Sequence, residues 1–331
     1  MFMQGQQLQK GELFMSKVSV FIHGVYPRST ELVKTSREVD RKRKTADDLK
    51  KQQEADFVTL QKVQEQAGLD YFEDGKFTWQ DIFRPIVEAT SGMEVGALTR
   101  WYDNNTFYRQ PIIKGKLKFN EKKLDGFFKK IPEAKWKVTL PSPFTLAKVT
   151  DNTTSATFEK TLLDITDIFV QILEALAVKK VKFVQFNETF ITYNQLKKTE
   201  IALFNKALTK FKKAKGEMTL ALHSYFGDAT TLVNGVAGNS AIDVLGVDFL
   251  KTPLKSLPKK LPHDIIAGVV DGRNSLMEEK EVIKGFAETA IKHFGDKTIY
   301  LSNNSDLDLL PEAVAKEKVK LLGIVRKELV K

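Results

Sequence analysis

Short apolar runs rich in β-branched and aromatic residues recur along the chain, and longer segments with helical spacing of apolar positions follow most of them. The eight runs cover residues 17–23, 69–72, 136–140, 181–186, 218–223, 243–248, 264–270 and 298–302. The clearest helical segments cover residues 29–66, 157–178, 195–213, 278–293 and 311–329. Strands that alternate with helices predict a parallel sheet.

Eight strands are the number that closes a (β/α)8 TIM barrel, and this α/β barrel is the predicted fold class. An open, doubly wound sheet is disfavoured because no glycine-rich phosphate-binding fingerprint follows any of the runs. About 60 residues separate the second run from the third, so residues 77–132 are predicted to form an insertion near the barrel mouth. The predicted organisation is an extension over residues 1–16 and a single barrel over residues 17–331.

The composition narrows the possible chemistry. The chain has no cysteine, which excludes disulfides, thiolate metal ligands and a cysteine nucleophile, and its four histidines would need carboxylate companions at any metal site. The net charge of +10 allows an anionic partner, but the lysines are dispersed and nucleic acid is not expected. No apolar run is long enough to span a membrane, so we expect a cytoplasmic protein without a membrane partner.

Polar residues follow nearly every predicted strand, where the active sites of barrel enzymes lie. They are His23, Glu73, Asp74, Asn187, Glu188, His223, Asp248, Asp271 and Asn303, and the apolar Pro141 stands at the exit of the third run. The alternative interpretation is that these side chains cap helices, and for Asp271 and Asn303 the two interpretations are equally supported.

Residues 97–116 crowd aromatic, arginine, amide and carboxylate side chains into one segment. Trp101, Asp103, Asn105 and Arg109 are predicted to bind a flat, partly anionic small-molecule substrate by stacking and bidentate pairing. The alternative is a surface loop that covers its own backbone. Further along the chain, Gly272 allows a tight turn from which Arg273 and Asn274 are predicted to reach into the barrel mouth.

Seven short motifs together resemble the cobalamin-independent methionine synthase superfamily, in order along the chain. They are YPRS at 26–29, QAGLD at 66–70, RWYDNN at 100–105, LPSPFT at 140–145, QFNE at 185–188, SYFG at 224–227 and GVVDGRN at 268–274. The YFG and DGRN forms are those of the family's N-terminal half. The resemblance implies a barrel that binds a folate polyglutamate, whereas the family's C-terminal half uses zinc to activate the homocysteine thiol for attack on 5-methyltetrahydrofolate.

The resemblance also transfers residue roles. The homocysteine-binding glutamate of the family falls on Glu188, and the metal ligands that remain are His223 and Asp248. Tyr225 and Ser305 replace the two zinc thiolates. Without sulfur ligands, a Zn²⁺ site would be harder and more weakly bound.

Three hypotheses follow, and the sequence leaves open whether the chain is itself an enzyme. In the first, it binds a folate and acts in methyl transfer together with a separate zinc-bearing barrel. In the second, it is a methyltransferase in its own right with a remodelled site, and its methyl acceptor is a homocysteine-like thiol or another compound. Glu188, His223 and Asp271 are then its catalytic residues, and Asp248 works beside them. In the third, it is a non-catalytic barrel that binds a small anion or a protein.

Overall fold

The computed structural model describes residues 18–330, so the predicted extension over residues 1–16 lies outside the described part of the chain. Seven of the eight predicted runs form one curled parallel sheet. Its strands are β1 (Val18–Val20), β4 (Lys137–Pro141), β6 (Phe183–Glu188), β7 (Thr219–Ser224), β8 (Val244–Asp248), β9 (Asp264–Val270) and β10 (Ile299–Asn303). They lie side by side in the order β1-β10-β9-β8-β7-β6-β4. The mixed α/β class with a parallel sheet is therefore confirmed.

Helices connect the strands and cover the outer face of the sheet, as parallel strands require. They are α1 (Thr30–Asp40), α2 (Ala46–Ala67), α3 (Arg84–Glu88), α4 (Glu121–Asp125), α5 (Pro143–Val149), α6 (Phe158–Val178), α7 (Phe190–Tyr193), α8 (Lys198–Leu208), α9 (Phe211–Ala214), α10 (Thr230–Val236), α11 (Lys280–Phe294) and α12 (Glu312–Leu329). Across residues 18–330, every helix is too short or too polar to cross a lipid bilayer.

The second predicted run, residues 69–72, is not a regular strand. Its backbone nevertheless joins both edges of the sheet: the amide of Asp70 donates to Val20 at 2.9 Å, and the amide of Phe72 donates to Lys135 at 2.8 Å. The Asp70 carboxylate accepts the Val20 amide at 2.8 Å and both arms of Arg326 at 2.7 and 2.9 Å. The Asp70 carboxylate therefore accepts a backbone amide of β1 that would bond to a backbone carbonyl in a regular sheet, and this explains why the segment does not continue as a strand.

The segment predicted as an insertion forms a long antiparallel hairpin. Its strands are β2 (Thr90–Arg100) and β3 (Phe107–Phe119), and the short β5 (Asp151–Asn152) completes a three-stranded sheet. The base of the hairpin turn is anchored by rings, since Trp101 and Tyr108 both pack against Phe83 with centroid distances of 5.4 and 5.2 Å. The hairpin thus places aromatic residues beside the sheet.

The interior of the curled sheet is a small apolar cluster separate from the larger core between sheet and helices. It contains Phe21, Phe183, Ala221, Val244, Ile266 and Tyr300, mostly one residue from each neighbouring strand. Strands buried on both faces explain why these segments are almost continuously apolar in the sequence.

A close contact between helices α2 and α12 depends on a glycine. A Cβ atom at Gly323 would overlap the carbonyl oxygen of Ala67, whereas a Cβ at Gly285 in α11 would meet open space. We expect Gly323→Ala to lower the free energy of unfolding by about 1–3 kcal/mol because the helices must separate. The control Gly285→Ala should raise it by about 0.5–1 kcal/mol through helix propensity. Urea denaturation of both variants checks this, and an unchanged Gly323→Ala protein would contradict it.

Candidate functional site

A cavity of about 570 Å³ lies at the carboxyl ends of the parallel strands. It is formed by the loop after β1, the loop after β10 and the turn end of the hairpin. Its aromatic lining consists of Tyr26, Trp79, Trp101, Phe107, Tyr108 and Phe226, and its charged lining of Arg28, Asp81, Asp306, Asp308 and Glu312. Flat apolar walls with a few convergent charges are typical of a small-molecule site.

A narrow slot forms the floor of this cavity and shares Trp79, Trp101 and Asp306 with it. Its other polar side chains are those of Lys76, Thr139, Thr145, Asn187 and Tyr225. They come from the segment after residues 69–72, from β4 and the helix after it, from β6 and from the loop after β7, which are distant in sequence. The curled sheet is what brings them together.

Asp306 joins three of the loops around the slot. Its carboxylate accepts the amide of Val25 at 2.9 Å and the hydroxyl of Tyr225 at 2.7 Å, and Asn187 in turn donates to the Tyr225 oxygen at 3.3 Å. Gly24, with φ of 82°, permits the close approach, because a Cβ there would overlap the carboxylate. Burial raises the pKa of Asp306.

Two buried lysines lie beside the slot, and only one of them donates hydrogen bonds through its ammonium group. Lys137 donates to Glu73 at 2.6 Å and to Thr139 at 2.9 Å, and burial lowers the pKa of Lys137 to about 8. Lys76 is 3% exposed, yet its Nζ makes no hydrogen bond and lies 3.7 Å from Asp74 and 4.0 Å from Glu73. The lysine that lines the slot is thus the one without a hydrogen-bond partner.

The upper cavity carries a pair of carboxyl groups near an arginine. Burial, and then the neighbouring charge of Asp306, raise the pKa of Asp308 to about 7. The charge of Arg28 opposes this shift, and burial lowers the pKa of Arg28 itself. The charge of this cavity therefore changes near neutral pH.

Glu188, predicted to bind substrate, is fully buried behind Thr145. Its carboxylate accepts hydrogen bonds from Ser142, from the Thr145 hydroxyl at 2.9 Å and from the Ile191 amide at 3.0 Å. Burial raises the pKa of Glu188 against the effect of these donors. Both oxygens are thus occupied in the arrangement that the capping alternative describes, and a substrate-binding role stays a prediction.

His223 is also fully buried, below the cavity. Its Nε2 lies 2.8 Å from the Asn304 carbonyl, its ring lies 4.5 Å from that of His23, and burial lowers the pKa of His223 to about 4. Asp248 accepts the Leu250 amide at 3.0 Å and the Asn304 side chain at 3.2 Å. Neither residue lines the cavity.

These contacts do not fit the zinc site that the family resemblance implies. Within residues 18–330, no three histidine or carboxylate side chains come close enough to hold a metal ion together. The two positions that replace thiolates are also engaged, since Tyr225 donates to Asp306 and Ser305 donates to the Asn304 side chain at 3.1 Å. His223 and Asp248 therefore lack the third ligand that a stable Zn²⁺ site requires.

Only part of the predicted binding segment lies at the cavity. Trp101 is buried and lines both the cavity and the slot, whereas Asp103, Asn105 and Arg109 are exposed and do not line the cavity. The neighbouring Asn104, which was not predicted, is buried and does line it. Asp103, Asn104 and Asn105 lie in the turn between β2 and β3, so no strand alternation predicts which of them faces the cavity.

The loop after β9 forms its own turn. Asp271 accepts the Arg273 amide at 2.9 Å, and Asn274 accepts the Leu276 amide at 3.0 Å. Arg273 reaches the edge of the site, where its guanidinium lies 5.2 Å from the centre of the Phe226 ring. Asp271 thus stabilises a turn here, and its predicted catalytic role stays a prediction.

Sequence reasoning missed the charged residues closest to the ligand space, namely Arg28, Lys76, Asp306 and Asp308. Lys76 follows the flagged pair Glu73 and Asp74 and could have been found from it. Asp306 lies three residues after the end of β10, so its position in the loop is not marked by the strand exit itself.

The fold and the cavity together define a small-molecule-binding protein of the α/β class. The family described as cobalamin-independent synthase, N-terminal domain, matches residues 88–292, and the chain belongs to this family. The resemblance predicted from the motifs is thereby confirmed.

Relatives over the whole chain and over part of it agree with this assignment. A methionine synthase of Sulfolobus acidocaldarius is 26% identical over 324 residues, covering 93% of this chain and 92% of the relative. A 5-methyltetrahydropteroyltriglutamate–homocysteine methyltransferase of Listeria welshimeri is 29% identical, covering 69% of this chain and 30% of the relative.

Solved structures agree with the fold. A putative vitamin-B12-independent methionine synthase from Listeria monocytogenes superposes with a TM-score of 0.74 at 16% identity, covering 94% of this chain and 98% of that one. A B12-independent methionine synthase from Shewanella sp. W3-18-1, in complex with selenomethionine, has a TM-score of 0.65 at 17% identity, with coverages of 87% and 91%.

The hydrogen bonds that Glu188 accepts predict a loss of stability when its side chain is removed. Glu188→Ala leaves several buried donors without an acceptor, so we expect a loss of about 2–4 kcal/mol in the free energy of unfolding. Glu174→Ala, at an exposed position of α6, should change it by less than about 0.5 kcal/mol. Urea denaturation compares the two. Equal stabilities would contradict the structural role and favour a functional one.

The raised pKa of Asp308 predicts a pH-dependent stability. The folded protein keeps the proton of Asp308 up to about pH 7, whereas the unfolded chain releases it near the ordinary value of 3.8. Wild-type stability relative to Asp308→Asn should therefore fall as the pH rises from 3.8 to about 7, because ionisation then disfavours the folded state. Thermal unfolding at several pH values checks this. A constant difference between the two proteins would contradict it.

Proposed function

We propose that this chain acts in methyl transfer of the methionine synthase type and binds the pteroyl-polyglutamate methyl donor in its cavity. The observation that carries this proposal is the continuity of an aromatic cavity with a basic groove. The relatives support it, since several are named for 5-methyltetrahydropteroyltriglutamate as substrate.

The cavity has the size and walls that a pterin ring needs. Its volume of about 570 Å³ lies within the usual range for small-molecule sites. Trp79, Trp101 and Tyr108 provide flat apolar surfaces, and stacking against such rings is the usual way in which proteins hold planar heterocycles.

The groove begins where the cavity ends, at Arg28, and follows one face of helix α1. Lys34, Arg37 and Arg41 line it at spacings of three and four residues, which place them on the same side of the helix. Glu38 also lies there and pairs with Arg41 at 3.5 Å, so the groove keeps a positive surplus. Such a track suits the carboxylates of a polyglutamate tail.

Thiol activation requires a group that this chain does not hold, because the donor set around His223 does not fit zinc. We therefore propose that a separate zinc-bearing barrel supplies the activated homocysteine-like thiol. In the same proposal, residues 17–331 form a single (β/α)8 barrel, with residues 69–72 completing it through their bonds to both sheet edges.

Titration with 5-methyltetrahydrofolate as the monoglutamate and as the triglutamate tests the proposal. The wild-type protein should bind the triglutamate roughly three- to tenfold more tightly, since additional ion pairs form along the groove. The double variant Arg37→Ala/Arg41→Ala should lose this preference while it keeps its affinity for the monoglutamate. Isothermal titration calorimetry gives both dissociation constants.

The control removes the same charge at the other end of the sheet. Lys259→Ala/Lys260→Ala alters two exposed lysines before β9, opposite the cavity, and should keep the preference for the triglutamate. If the wild-type protein binds neither folate, the proposed function is wrong. If both double variants lose the preference equally, net charge rather than the groove explains it.

A further inference from the structure

The ammonium group of Lys76 is a buried charge that makes no hydrogen bond. Its side chain is 3% exposed and lines the slot, and its Nζ lies 4.6 Å from the centre of the Trp79 ring without any hydrogen bond. A buried ammonium carries three donors, and leaving them unused is costly. A ligand that offers an acceptor in the slot would remove that cost.

Asp306 provides the opposite chemistry in the same slot. Its two oxygens accept one hydrogen bond each from Val25 and Tyr225, and a carboxylate has further lone pairs. Lys76 and Asp306 both line this slot, and the charge of Lys76 opposes the rise in the pKa of Asp306. The slot thus presents donors on one side and an acceptor on another.

The charge around Lys76 decides what kind of acceptor fits. Glu73, Asp74 and Asp306 outnumber the two lysines Lys76 and Lys137 in this region. An additional anion would therefore meet net repulsion, whereas a neutral group that carries an acceptor beside donors would satisfy both Lys76 and Asp306. The slot has a volume of only about 10 Å³, so a polar group at the edge of a ring can enter it while the ring itself lies in the adjoining cavity, beside Trp79 and Trp101.

We infer that Lys76 and Asp306 recognise the edge of a neutral, planar ring in which a carbonyl oxygen is followed by N–H donors. Lys76 donates to the carbonyl, and Asp306 accepts from the ring N–H or the exocyclic amino group. The aminopyrimidinone edge of a pterin carries this order of groups. This inference rests on the proposed function, and it assigns the ring-recognising residues of the site.

The experiment compares folic acid, which has the 4-oxo group, with its 4-amino analogue, which presents a donor where Lys76 needs an acceptor. Wild-type protein should bind the 4-oxo ligand about ten- to hundredfold more tightly, because the analogue leaves the buried ammonium without a hydrogen-bond acceptor. Lys76→Met should reduce this ratio of dissociation constants to near one. Lys76→Gln, whose amide can donate or accept, should also lower the ratio and is the second variant if the Met variant does not fold.

The ratio separates recognition from general damage, because a merely loosened fold would weaken both ligands alike. Lys292→Met, at an exposed position of α11, should leave the ratio at the wild-type value. If folates bind but the ratio is the same in wild type, Lys76→Met and Lys76→Gln, this inference is wrong and the proposed function stands. If wild-type protein binds neither ligand, nor the triglutamate, both are wrong.

Discussion

Polar side chains at the carboxyl ends of buried parallel strands must find partners, and this constraint organises the molecule. Most of them do so within the protein: Glu188 accepts from the start of α7, and Asp306 accepts from Val25 and Tyr225. Asp70 meets the same requirement between the edges of the sheet by binding Val20 and Arg326. A buried polar group without a partner is therefore informative, because unsatisfied groups are rare.

The charges around the cavity do not follow the positive net charge of the whole chain. The net charge is +10, yet the cavity is lined by Asp81, Asp306, Asp308 and Glu312 against Arg28. The basic surplus near the site is confined to the exposed face of α1. A ligand with a neutral ring and an anionic tail matches both regions, whereas total charge alone pointed only to an anionic partner.

The two positions at which the family resemblance expects cysteine hold side chains that donate hydrogen bonds. At the two positions where the family resemblance places zinc thiolates, Tyr225 and Ser305 make hydrogen bonds and line the ligand space. Replacing a thiolate by a phenol exchanges a metal ligand for a hydrogen-bond donor, and here that donor orients Asp306. In the proposed function these two positions serve ligand binding instead of metal binding, and a second barrel holds the zinc.

Apolar periodicity was sufficient to predict seven strands and the principal helices, because burial on both faces leaves a local signal in each segment. The second run, residues 69–72, is not a regular strand because the Asp70 side chain accepts a backbone amide of β1, and the apolar pattern alone does not register such a contact. The motifs were sufficient to identify the family. Which residues line the ligand space depended on tertiary structure: Glu188 ends β6 and Lys76 follows residues 69–72, but only packing shows that both Glu188 oxygens accept hydrogen bonds and that the Lys76 ammonium donates none. Hydrogen bonding between distant segments decides this, and sequence spacing does not encode it.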